Sequence, residues 1–165
     1  MPCTRARSRH RLHFPSPRTI RGICGTIAAG PLWSYFTRRI GEPVSTDQLG
    51  YYNDVLPQVR SLNAELIGVS VDSVWCHEAF TRAARLRFRL LSDTRGAVAR
   101  AYGVYTPREG RSARALFVID TIGNISWGYV APPNVNPGVD GMMTALERMM
   151  RHQRPQGIQD QDEPD

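Results

Sequence analysis

The stretch AELIGVSVDSVWCHEAF, residues 64–80, changes period halfway along, and that change decides the fold. Its first part, ELIGVSV (65–71), is a short, apolar, partly β-branched run. Such a run suits a strand buried on both faces of a parallel sheet. The second part opens SVWCHEAFTRAARL (73–86), which reads as a helix with Trp75, Phe80 and Ala83 or Ala84 near one face.

Upstream, Leu49, Tyr52, Leu56 and Val59 recur at spacings of three and four, an amphipathic helix starting near Ser45. Pro57 is expected to kink it, because proline removes a backbone donor and crowds the carbonyl four residues back. GPLWSYF (30–36) reads as a short strand. Downstream, FRLLSD (88–93) is a strand running into a turn, and GAVARAYG (96–103) a short helix. RALFVID (114–120) and NISWGYV (124–130) flank Thr121, Ile122 and Gly123, the pattern of an antiparallel hairpin. A last helix is expected from about Pro137 to Arg151, with Val139, Met142/Met143, Leu146 and Met149/Met150 as its core stripe. This order implies an α/β chain with a mixed sheet, parallel inner strands and helices on both faces, the thioredoxin-like arrangement.

The 165 residues suit one domain, and their 41% hydrophobic content supports a core. No apolar run approaches the ~20 residues of a membrane helix. The formal charge of +6 is unevenly spread. Residues 1–41 carry eight arginines and no acid, whereas from Glu42 onward 13 arginines face 15 acids. No lysine occurs, a usage that follows from GC-rich coding. The leader's arginines do not alternate with aromatics on a folded face, so neither nucleic acid nor membrane is an expected partner. Residues 1–29 therefore read as a disordered Arg-rich leader, 30–152 as the domain, and 153–165 as a disordered acidic tail. The leader has a transit-peptide composition but no secretory h-region. Cys3, Cys24 and Cys76 are an odd, widely spaced set, neither a disulfide framework nor a zinc site. A reducing cytoplasm fits them, and no metal or cofactor is expected.

Two residues invite chemistry. Ser45 in PVSTDQL (43–49) has a plain structural reading: an N-cap with Gln48 three residues on is a capping box worth ~1 kcal/mol. No Gly-x-Ser-x-Gly elbow surrounds it. Cys76 lies early in a helix at the carboxyl end of an inner strand, where open α/β sheets place their sites. The helix start and His77 are able to favour its thiolate. The competing readings are a packing cysteine beside Trp75 and a surface histidine.

AELIGVSVDSVWCHEAF, LLSD, VARAYGVY and RALFVID, in order and without large gaps, resemble the peroxiredoxins, the alkyl hydroperoxide reductase/thiol-specific antioxidant group. The resemblance covers roughly Pro43 to Leu146, and PVSTDQL resembles the active-site turn PVCTDQL. It implies a thioredoxin-like fold and a thiol peroxidase. In that family a cysteine in the first helical turn attacks the peroxide, its thiolate favoured by the helix N-terminus. A Pro seven residues upstream, a Thr three upstream and a distant Arg hold the peroxide oxygens in line. The implied partners are a hydroperoxide, a thiol reductant and a second copy of the chain in a homodimer.

Residue by residue the chain departs from that pattern. Ser45 holds the Cys position, Glu42 the Thr position and Arg38 the Pro position. Arg114 matches the Arg, although an ordinary strand-edge Arg is the plain alternative. A serine hydroxyl without an adjacent base is not activated at neutral pH, and it cannot enter the sulfenic acid–disulfide cycle. Three functions follow as expectations: an ancestral reductase of hydrogen peroxide and alkyl hydroperoxides impaired at Ser45, a Cys76-dependent peroxidase, or a non-enzymatic binding or chaperone-like module.

The first forty residues do not resemble the family's N-terminal hairpin or its strand before the Cys turn. Codon junctions offer an account. The third base of each codon, joined to the first two of the next, permits Val-Val-Leu-Phe-Tyr-Pro-Ala-Asp-Trp across Leu32–Gly41. Residues before about Gly41 are then an out-of-frame translation, the N-terminal part of the family fold is missing or disordered, and sheet edge and core are expected to lie exposed.

Overall fold

A computed structural model describes residues 31–132 and 134–153. The expected leader and acidic tail lie outside them. In chain order the elements are β1 (Leu32–Phe36), α1 (Pro43–Ser61), β2 (Glu65–Ser70), α2 (Val74–Ala83), β3 (Arg89–Ser92), α3 (Ala97–Ala101), β4 (Tyr105–Thr106), β5 (Arg111–Ser112), β6 (Arg114–Ile119), β7 (Ile125–Ala131) and α4 (Asp140–Gln153). The main sheet has the order β3-β2-β1-β6-β7. β1, β2 and β3 are parallel, while β6 runs antiparallel to β1 and β7 antiparallel to β6. This is the expected mixed thioredoxin-like sheet. The tiny β4–β5 ladder was not expected, because two-residue strands carry no periodic signal.

Alternation along the strands builds two cores. Trp33, Tyr35, Leu66, Leu116 and Val118 point to one face, against Leu49, Tyr52, Leu56 and Val59 of α1 and Met142 and Leu146 of α4. Leu32, Phe36, Ile67, Val69, Phe117 and Ile119 point to the other, against Ala99, Tyr102 and Val104 around α3. The expected stripe of α4 thus packs in the core, although that helix starts three residues later than Pro137.

One expectation is corrected at β1. Leu32–Phe36 forms the middle strand, pairing Leu32 with Glu65 on one side and with Ile119 on the other. The strand before the helix turn is therefore filled, and the sheet centre is closed on both edges. α1 runs through Pro57 without interruption. The carbonyl that Pro57 cannot serve, that of Asn53, instead accepts a hydrogen bond from the Arg87 guanidinium.

α2 is rotated from its expected setting. Trp75 is 80% exposed and His77 is buried. Trp75 and Phe80 are five residues apart, about 140° around a helix, so they cannot share a face. His77 is three before Phe80 and does.

Candidate active site

The site forms where β1 ends and α1 begins. Pro43 takes the first helical position, where its fixed φ is favourable and its missing N–H is no loss. The N-cap is therefore Glu42, and Ser45 falls inside the first turn. The expected capping box does not exist. Ser45 is fully buried with its side chain turned inward, and Gln48 accepts from the Tyr35 phenol at 2.8 Å and donates to Tyr52.

Two groups converge on the Ser45 hydroxyl. Thr37 donates from Oγ1 to Ser45 Oγ at 2.8 Å. Arg114, at the start of β6 and 1% exposed, donates from Nη2 to the same oxygen at 3.3 Å. The structure thus brings together Ser45 and Arg114, which lie 69 residues apart in sequence. Thr37 was not singled out from the sequence. It lies eight residues before Ser45 rather than three, so the matched spacing pointed to Glu42.

Burial pushes the Tyr35 phenol above its ordinary range, while Thr37, Arg114 and Ser45 pull it back in part. Burial also raises the Tyr52 phenol. Both phenols stay protonated at neutral pH, which keeps the floor of the site neutral.

The residues at the Pro and Thr positions face outward. Arg38 pairs with Glu109 at 2.8 Å, Arg111 with the same carboxylate at 2.8 Å, and Arg111 with Glu42 at 2.7 Å. The exposed Glu109 carboxyl is held below the usual range, chiefly by its hydrogen bond from Arg111. Ser112 Oγ donates to the Thr37 carbonyl at 2.8 Å. This chain of contacts ties the 37–42 loop to the β4–β5 hairpin. A cleft of about 510 Å³ lies over the site, lined by Arg38, Glu42, Pro43, Val44, Glu109, Arg114 and Asn134.

The neighbouring corner, between β2 and α2, holds Cys76. Ser73 is the N-cap of α2 and accepts from the Cys76 N–H at 3.3 Å. The thiol is exposed, so the expectation of a packing cysteine is wrong. His77 is not the expected surface residue. Its ring turns inward, with Nε2 2.8 Å from Ser70 Oγ, and burial lowers its pKa against an opposing pull from Asp72. Burial therefore disfavours an imidazolium next to Cys76. Asp72 joins the two corners, accepting from the Ile40 N–H at 2.9 Å and from Ser70 Oγ at 2.8 Å.

Chemically, the Ser45 corner is a closed cluster of two hydroxyls and a guanidinium beneath a cleft that Arg114 also lines. It holds no sulfur. The Cys76 corner holds sulfur in the open, whereas Arg114 is buried against Ser45.

Residues 30–127 match the family profile described as AhpC/TSA family. The chain belongs to that family, the peroxiredoxins. It is 27% identical over 122 residues to a chloroplastic 2-Cys peroxiredoxin BAS1 of Hordeum vulgare, covering 70% of this chain and 58% of the relative. It is 32% identical over 104 residues to a putative peroxiredoxin YkuU of Bacillus subtilis, covering 59% of this chain and 58% of the relative. The chain thus spans a little over half the length of these relatives. Among solved structures, AhpC of Enterococcus faecalis superposes with a TM-score of 0.72 at 23% identity, over 75% of this chain and 77% of that one. Peroxidoxin BcpB of Mycobacterium tuberculosis gives 0.66 at 25%, over 77% and 82%. No helix among the described residues is long and apolar enough to cross a membrane.

Proposed function

We propose that this chain is a peroxiredoxin-fold protein that keeps a buried hydroxyl–guanidinium cluster at the family's active-site position and has lost thiol turnover there. One observation carries the reading: Ser45, at the family's peroxidatic position, is buried with Thr37 2.8 Å and Arg114 3.3 Å from its oxygen. In the ancestral reaction a thiolate at that position attacks one oxygen of ROOH. The O–O bond breaks, sulfur becomes a sulfenic acid, and the leaving alkoxide takes a proton to give ROH. A dithiol reductant returns the sulfenic acid to thiol, releasing water and becoming a disulfide. Ser45 can bind where that sulfur would act but cannot attack, since its hydroxyl has no adjacent base. Arg114 retains its family role of facing the leaving oxygen. The setting is a reducing cytoplasm, and homodimer formation follows the family.

A second reading rests on the exposure of Cys76, which leaves its thiol free to meet a peroxide directly. Hydroperoxide consumption with dithiothreitol as reductant separates the two. The first reading expects background rates in the unaltered chain, unchanged by Cys76→Ser, and turnover in Ser45→Cys. Turnover lost with Cys76→Ser establishes the second reading. A Ser45→Cys chain that folds, forms no sulfenic acid and turns over nothing refutes the first.

A further inference from the structure

Ser70 fixes the tautomer of His77. The Ser70 hydroxyl has one proton and donates it to Asp72 Oδ2 at 2.8 Å. His77 Nε2, 2.8 Å from the same hydroxyl oxygen, is therefore the donor in that contact. In a neutral imidazole the second nitrogen, Nδ1, is then a bare acceptor. It has no partner among the described residues, although the side chain is only 4% exposed. A buried acceptor left unpaired costs free energy that a partner would restore. The two ring nitrogens face away from each other, so with Nε2 turned to Ser70 of β2, Nδ1 faces away from that strand.

His77 also lines a cleft of about 510 Å³ between α2 and β3. Val74, Phe88, Leu90 and Leu91 make much of its surface apolar. Its size and its few polar groups are those of a small-molecule site. His77 and Thr81 share one face of α2, and Glu78 and Arg82 share the adjoining one. The buried acceptor thus lies deep, and the exposed charges stand at the mouth. Arg82 and Arg89 against Glu78 leave that mouth with a net positive charge. Arg82 forms no ion pair among the described residues.

We propose that this cleft binds a small apolar carboxylate that bears a hydroxyl, in outline a hydroxyaryl alkanoate. The hydroxyl donates to His77 Nδ1, the hydrocarbon covers Phe88, Leu90 and Leu91, and the carboxylate pairs with Arg82 at the mouth. A cationic ligand would meet the wrong sign there. The site shares no lining residue with the cleft over Ser45, so it stands apart from the fate of thiol turnover.

Calorimetric titration of the full chain with 3-(4-hydroxyphenyl)propanoate, 3-phenylpropanoate and 4-ethylphenol tests this. The hydroxy acid is expected to bind with a Kd on the order of mM or tighter. Removing its hydroxyl should weaken binding about fivefold, the worth of one neutral hydrogen bond. R82Q, a change at the exposed end of α2, should weaken both acids about threefold or more and leave 4-ethylphenol unchanged. With nitrogen-15 labelled histidine, assigned through H77Q, the His77 Nδ1 resonance should move with the hydroxy acid and stay in place with 3-phenylpropanoate. No binding of the hydroxy acid up to about 10 mM overturns the proposal. Equal affinity for the two acids also overturns it, as does undiminished affinity in R82Q or an Nδ1 resonance that the hydroxy acid leaves unmoved.

Discussion

Two strand–helix corners lie side by side in this sheet and divide one chemistry between them. In the β1–α1 corner a six-residue loop turns the helix start inward, and Ser45 is sealed with Thr37 and Arg114. In the β2–α2 corner a three-residue turn places Cys76 in solvent over a conventional serine cap. Both positions sit in the first turn of a helix at the carboxyl end of a parallel strand. On the proposed function the reaction needs sulfur inside an enclosure that also holds a guanidinium, whereas the enclosure here has oxygen and the sulfur lies outside.

The largest effect should come from exchanging the two atoms. S45C/C76S moves sulfur to the enclosed corner without adding a thiol. Peroxide consumption with dithiothreitol should rise at least about 100-fold over the unaltered chain, the order by which one positioned group changes a rate. If the exchanged chain folds and stays at background, the β1–α1 corner is no longer a competent peroxide site. Adding R114Q to S45C/C76S should remove about 10²–10³ of that gain by taking away the donor facing the leaving oxygen. The folded fraction, followed by circular dichroism, must be checked alongside. Truncating a guanidinium that is 1% exposed also loosens the fold.

The same comparison explains what was legible. The β2–α2 unit was read almost to its ends, because residues 64–80 carry both periods without interruption and Ser73 caps the helix. The face of α2 differs from its expected setting because Trp75 and Phe80 are about 140° apart on the helix, and with them Cys76 turns out exposed and His77 buried. The β1–α1 unit was read less well. Its helix stripe was plain in Leu49, Tyr52, Leu56 and Val59, but Pro43 moved the helix start upstream and undid the capping box. Arg114 was legible through the matched RALFVID frame. Thr37, Asp72 and the Arg38–Glu109–Arg111–Glu42 chain were not, because their partners meet only through tertiary contacts up to 75 residues apart.

The two strands also differ in how well their residues suit their places. Ser70 of β2 is buried and hydrogen-bonded to both Asp72 and His77. Ser34 Oγ and Trp33 Nε1 of β1 are buried without a partner among the described residues. His77 Nδ1, well past Gly41, is likewise buried without a partner, so such atoms do not by themselves mark an out-of-frame segment. S34A should stabilise the fold by about 1 kcal/mol in urea unfolding, since it deletes an unsatisfied buried hydroxyl. The nucleotide sequence across Leu32–Gly41 supplies the direct check: a shifted frame that does not spell the family strand ends the frameshift reading.

A smaller effect belongs to His77. Burial holds its pKa below the ordinary 6.5, with Asp72 pulling the other way. The unfolded chain therefore takes up this proton more readily than the folded one. Stability from this group is complete above about pH 6.5 and is lost as pH falls from there through the lower folded value. H77Q keeps a donor for Ser70 and removes the titration. Its urea midpoint should change less between pH 7 and pH 5 than that of the unaltered chain. Identical slopes would assign the acid sensitivity to carboxylates.

The smallest effect is expected at Cys76, and it bears on the comparison most directly. An exposed side chain whose thiol touches neither core makes little contribution to stability, so C76S should shift the unfolding midpoint by less than about 0.5 kcal/mol. The hydroxyl leaves the Ser73 cap untouched, because that bond uses the Cys76 backbone N–H. Reaction with a thiol reagent on the folded domain should fall by the Cys76 share, while background peroxide consumption stays the same. A fall in peroxide consumption matching the lost thiol would mean that sulfur in open solvent, without Arg114, suffices for the chemistry, and the division between the two corners would then be one of packing alone.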